Sequence, residues 1–145
     1  MISHKSMETN TISIETDEDR VTLSHVLDGQ ALGYVVIDRV FNGHDEFIDY
    51  MDEDMYDTIF GRDDFYKIEH IESLNKGSGS ILMNAAINYV KDNNGISIYL
   101  NACPVKHKAM SVIQLVRFYS KFNFKIIDAT DLWDNNKEMV LRLNN

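Results

Sequence analysis

The sequence predicts an α+β domain built on a mixed, mostly antiparallel central sheet with flanking helices. Three observations lead there. Three segments of alternating apolar and polar residues follow one another near the start, separated by turn signals, as in an antiparallel meander. Downstream the apolar period switches between two and the three-to-four of a helix, so strands and helices take turns. A glycine-rich turn, Asn75–Ser80 (NKGSGS), then joins a strand-like run to a helix-like run.

In chain order, Met1–Asn10 is polar and expected to be flexible, leaving 11–145 as one domain. A chain of 145 residues buries roughly two-thirds of its unfolded surface, enough for a sizeable core. Thr11–Thr16 (TISIET) alternates like a strand, Asp17–Arg20 is a turn, and Val21–Leu27 is a second strand. Asp28-Gly29 is a tight-turn signal, and Ala31–Val40 a third, more fully buried strand. His44–Phe60 reads as an acidic helix, with Phe47, Ile48, Met51, Met55 and Ile59 at helical spacing. Tyr66–Ser73 is the fourth strand. Ser78–Asp92 is an amphipathic helix with Ile81, Leu82, Ala85, Ala86, Tyr89 and Val90 on one face, stopped by Asn93-Asn94-Gly95. Ile96–Ala102 is a short buried-type strand, Pro104–Ala109 a loop and Met110–Lys121 a helix. Phe124–Asp128 and Lys137–Leu143 are the last strands, a hairpin across Trp133.

A strand feeding a glycine turn feeding a helix presents free N–H groups at a positive helix end, which is a phosphate site. A P-loop needs lysine after its second glycine, but Lys76 precedes Gly77. A dinucleotide fingerprint needs a third glycine where Leu82 stands, and an acid where the next strand ends at Asn101. Leu74-Asn-Lys-Gly77-Ser-Gly79 instead resembles the [QR]-x-x-G-x-[GA] motif of the GNAT superfamily of acyl-CoA-dependent N-acetyltransferases, with Leu74 where Gln or Arg is usual. A second block, Leu115-Val-Arg-Phe-Tyr119-Ser-Lys-Phe-Asn-Phe124, is similar to the family's L-x-x-x-Y-x-K-x-G-F segment. Asn123 replaces glycine there, the mildest replacement at a left-handed helix cap.

The resemblance is specific from Tyr66 to Phe124, and it implies a short, stand-alone or phage-type GNAT domain whose fourth and fifth strands splay apart. The implied activity is transfer of an acetyl group from acetyl-CoA to a primary amine, a protein lysine or small polyamine, by direct attack in a ternary complex. The pyrophosphate would lie on Asn75, Lys76, Gly77, Ser78, Gly79 and Ser80, and the pantetheine arm along Ile71 and Ser73, with Asn101 and Ser111 as further polar contacts. Tyr119 matches the tyrosine that acts as general acid, giving a proton to the departing CoA sulfur. The acceptor must lose a proton, since a free lysine is neutral in only about one molecule in 2,500 at neutral pH, which costs about 4.6 kcal/mol. Glu72 is the favoured base and His70 the second. The bulge common in the family's fourth strand would reset its side-chain alternation beyond Glu69.

The formal net charge of −9 argues against a nucleic-acid or anionic-membrane partner and permits a cationic one, including a basic protein. The acids concentrate between Asp45 and Asp64. No apolar run reaches the roughly 20 residues of a membrane span, and no leader is visible. A single cysteine, Cys103, precludes an internal disulfide, and a cytoplasmic location is expected. The five histidines lack metal-ligand spacing, so no metal is expected. Oligomeric state is left open, monomer or dimer. The alternative function is a non-catalytic GNAT-fold interaction module, or an acidic inhibitor of a basic partner.

Overall fold

The alternating segments form the antiparallel meander that their period of two demands. In the computed structural model, which describes residues 10–40, 65–73, 77–102, 111–127 and 137–143, β1 (Asn10–Asp17) pairs with β2 (Arg20–Leu27), and β2 with β3 (Gln30–Val40). Asn10, expected within a flexible terminus, already pairs with Leu27. Asp28 and Gly29 join β2 to β3 with φ of 52° and 83°, the two positive angles of a type I′ hairpin. The expected acidic helix at His44–Phe60 lies outside the described residues.

β4 (Phe65–Ser73) runs antiparallel to β3 and parallel to β5 (Ser97–Ala102). β5 pairs antiparallel with β7 (Lys137–Arg142), and β7 with β6 (Lys125–Ile126), the expected terminal hairpin. Among the described residues the result is a seven-stranded mixed sheet in the order β1-β2-β3-β4-β5-β7-β6, with one parallel pair.

The described residues hold two helices, α1 (Ser78–Asp92) and α2 (Val112–Ser120). α1 packs across β2, β3 and β4. It buries Leu82, Met83, Ala86 and Val90 completely against Leu23, Val35, Ile37, Ile98 and Leu100. Each of these side chains larger than alanine stabilises the fold by about 1.5–3 kcal/mol relative to exposure. Phe65, Tyr99 and Val140 form a smaller cluster on the other face. α1 ends as its Asn93-Asn94-Gly95 signal requires. The Gly95 N–H reaches the Val90 carbonyl and the Asn94 N–H that of Lys91, with Asn94 left-handed at φ 64°. α2 ends the same way, with Asn123 at φ 74°, so this asparagine does the work of the family's glycine.

Candidate functional site

The sheet opens where β4 bulges. In the β3–β4 ladder Ile37 faces Ile68 but Val36 faces His70, so Glu69 is an extra residue in β4. The parallel β4–β5 ladder stops at Ile68 and Leu100, at the same level. Beyond it β4 continues to Ser73 and β5 to Ala102 without pairing to each other, which is the expected splay. The bulge also sorts the side chains. Ile71, opposite Val35, turns toward the α1 core, while His70 and Glu72 occupy the other face. Simple alternation would have put Glu69 with Ile71; instead Glu69 is exposed and pairs with Lys67 at 2.8 Å.

The first turn of α1 stands at this opening. Its N-cap is Gly77, left-handed at φ 92°. No side chain caps the helix and no acid lies in its first turn, among the described residues. The N–H groups of Ser78, Gly79 and Ser80 therefore retain the positive end of the helix for a ligand. A Cβ on Gly79 would meet Phe118 Cζ at 3.3 Å and Ser73 Cβ at 3.9 Å, so this turn, the end of β4 and α2 converge.

The serines of the turn diverge. Ser80 is exposed at the mouth, but the Ser78 hydroxyl faces inward, 1% exposed and 2.6 Å from His25 Nδ1. Ser78, expected to contact the pyrophosphate, can offer a ligand its backbone N–H, while its hydroxyl is engaged with His25. Ser111 is likewise engaged, as the N-cap of α2: its Oγ accepts from the Gln114 N–H at 3.2 Å, and its N–H donates to Gln114 Oε1 at 2.8 Å. Asn101 is exposed, one residue past the last β4–β5 pair. Asn75 and Lys76 lie outside the described residues, as do Leu74 and Cys103.

Tyr119 follows Phe118 on α2. Its ring lies 5.3 Å from Phe118 and 6.1 Å from Phe124, and burial pushes its phenol up to about 12. The phenol therefore stays protonated across the neutral range. On the far face, His70 Nε2 and Glu72 Oε1 are 4.0 Å apart and both side chains are partly exposed. The Tyr34 ring lies 5.6 Å from His70, opposite Glu72 in the ladder. Sequence reasoning did not single out Tyr34 or His25. His25 had a signal: in Val21-Thr-Leu-Ser-His25 it takes the inward position of an alternating strand.

No protein-family model matches the sequence, and neither does any curated protein. Solved structures do match. One is aminoglycoside 6′-acetyltransferase type Ii, with TM-score 0.59 and 16% identity over 87% of this chain and 70% of that one. Another is an N-acyl amino acid synthase from uncultured soil microbes, with TM-score 0.58, 13% identity and coverage of 89% and 75%. A third is the PaiA N-acetyltransferase of Thermoplasma acidophilum in complex with coenzyme A, with TM-score 0.56 and 16% identity over 86% of this chain; the present chain spans only 62% of its length. With the strand order and the single parallel pair opening beyond Ile68, these likenesses lead to one conclusion: this chain has the fold of the GNAT acetyltransferases.

Proposed function

We propose that the protein is an acyltransferase that takes an acetyl group from acetyl-CoA and passes it to a primary amine, by direct attack in a ternary complex. The observation that carries this reading is that two openings coincide: the β4–β5 ladder stops at Ile68 and Leu100, and the uncapped glycine turn of α1 stands beside the end of β4. The residues fit the donor. The strand edge beyond Ile68, with Ile71 and Ser73, suits an amide-bearing arm, and the N–H groups of Ser78, Gly79 and Ser80 suit a pyrophosphate. When bound, acetyl-CoA supplies the acyl group as a thioester. Asn75 and Lys76, at the start of the turn, would extend the phosphate contact, and Asn101, exposed one residue past the last β4–β5 pair, would add a polar contact from β5.

Glu72, with His70 4.0 Å away, would take the proton from the incoming ammonium. The acceptor is a protein lysine or a small polyamine, and the setting is the cytoplasm. Tyr119 has a narrower role than a plain general acid. A phenol near 12 is a weaker acid than an alkyl thiol near 8.5, so complete transfer would run uphill by about 5 kcal/mol. Its contribution is a hydrogen bond to the negative charge that develops on sulfur.

Calorimetric titration with CoA tests the reading. The informative variant is Ser80→Asp, since Ser80 is exposed in the first turn of α1. An acid there favours the helix by about 0.3–1 kcal/mol. The variant should thus melt no lower than wild type while binding CoA at least tenfold more weakly. A wild-type chain that binds no acyl-CoA sinks the reading and favours the non-catalytic alternative.

A further inference from the structure

We propose that His25 positions the anion-binding turn: from β2 it holds Ser78 against the sheet and so aims the first-turn N–H groups of α1 at the phosphates. The inference rests on the acyl-CoA reading above and adds to it a residue that no motif contains. His25 is 5% exposed and its Nδ1 lies 2.6 Å from Ser78 Oγ, across 53 residues of sequence. Along β2 the inward positions are Val21, Leu23 and His25. An imidazole among aliphatic side chains is unfavourable unless hydrogen-bonded, so packing alone would favour a leucine there. Its Nδ1 bonds to the first residue of α1.

Among the described residues, the backbone of that turn is loosely constrained. Gly77 is a left-handed N-cap and Gly79 has no side chain, so two of its residues bring wide backbone freedom. Among the described residues of the turn, only Ser78 sends a side chain into the core. The sheet beneath is shaped to receive it. His25, Gly33 and Ser73 lie in one row across β2, β3 and β4. A Cβ on Gly33 would fall 2.5 Å from the Glu72 carbonyl oxygen and 3.0 Å from Leu82 Cδ1, so the middle of the row must be bare for α1 to settle. The β2–β3 register shifts between His25 and Val26, an irregularity that re-aims a side chain. The turn is then fixed at Ser78 by a polar bond and at Gly79 by packing on Phe118, while Ser80 faces out. His25 touches no ligand; it acts through Ser78.

A double-mutant cycle, read by calorimetry with CoA as titrant, tests this. His25→Leu and Ser78→Ala should each weaken CoA binding at least tenfold, and the double variant should be no weaker than the worse single. His25→Asn, whose amide can place a polar atom near the position of Nδ1, should recover most of the affinity. Rescue of this kind distinguishes positioning from loss of fold, and thermal melting checks that each variant is folded. Wild-type affinity in a folded His25→Leu chain, additive losses, or no rescue by asparagine would each overturn the proposal. Should His25→Leu fail to fold, unchanged CoA affinity in Ser78→Ala overturns it. A wild-type chain that does not bind CoA overturns this proposal together with the reading beneath it, whereas binding that His25→Leu leaves intact overturns this proposal alone.

Discussion

Tyr119 is 6% exposed, and burial alone sets its titration. In the unfolded chain a tyrosine loses its proton near pH 10, in the folded chain near 12. The stability tied to that proton is whole below about pH 10 and is lost as pH rises through 12, because the unfolded state gives up the proton first. The loss reaches about 3 kcal/mol at most. Tyr119→Phe removes the titrating group, so the stability of wild type minus that of the variant should fall between pH 9 and 12. Urea unfolding at several alkaline values measures this, and a difference that stays flat would refute the burial of the phenol. His25 and Ser78 show the limit of local reading. The sequence marked Ser78 as a turn residue near a phosphate, and it is one, but the hydroxyl points the other way. The partner that turns it lies 53 residues earlier, and no spacing rule connects the two.

Helix ends were legible because their chemistry is local. Asn93-Asn94-Gly95 was expected to stop α1, and it does, through the left-handed Asn94 and the Gly95 N–H bonded to the Val90 carbonyl at 2.8 Å. An alanine forced to the φ of 64° found at Asn94 costs about 1–2 kcal/mol, while glycine pays no such penalty. Asn94→Ala should therefore lower stability by about 1 kcal/mol and Asn94→Gly should leave it level or slightly higher; equal losses in both would show that the side chain, not the backbone angle, matters. Strand limits were legible to within about one or two residues for the same reason, as with Ala31–Val40 against Gln30–Val40. The bulge was not legible from alternation. In Phe65–Ser73 nothing local marks Glu69 as the extra residue, since its neighbours look like any two-sided strand. Only the family resemblance raised it, and it lies where β4 parts from β5 and turns His70 and Glu72 to the face away from α1.

Across the whole molecule, stability follows how much each strand buries. β3 and β5 lie inside the sheet and carry Val35, Ile37, Ile98 and Leu100 at no more than 1% exposure. β1 is the outermost strand on its side of the described sheet; Thr11 and Ser13–Asp17 are exposed, Ile14 at 56%, and Ile12 alone packs against the core. A strand that contributes one partly buried side chain adds roughly 1–2 kcal/mol of apolar burial, which its own backbone ordering largely offsets. The strand order was not written in any single segment, because the pairings of β3 with β4, β4 with β5 and β5 with β7 join residues far apart in the chain, and it decides which strand is outermost. Native-state hydrogen exchange turns this into an expected ranking. Amides of β1 that pair with β2 should exchange through local opening, with little dependence on added denaturant. Amides of β3 and β5 should exchange only through global unfolding, with free energies that converge as denaturant rises. The splay adds a finer expectation. In β5, Ile98, Tyr99 and Leu100 pair with strands on both sides, whereas Asn101 and Ala102 pair only with β7 among the described strands. Protection should therefore step down after Leu100 in the free protein and rise there when CoA is added. A β1 as strongly protected as β3 would mean that its outer face is covered, and equal protection on both sides of Leu100 would mean that the sheet is closed where the donor has to enter.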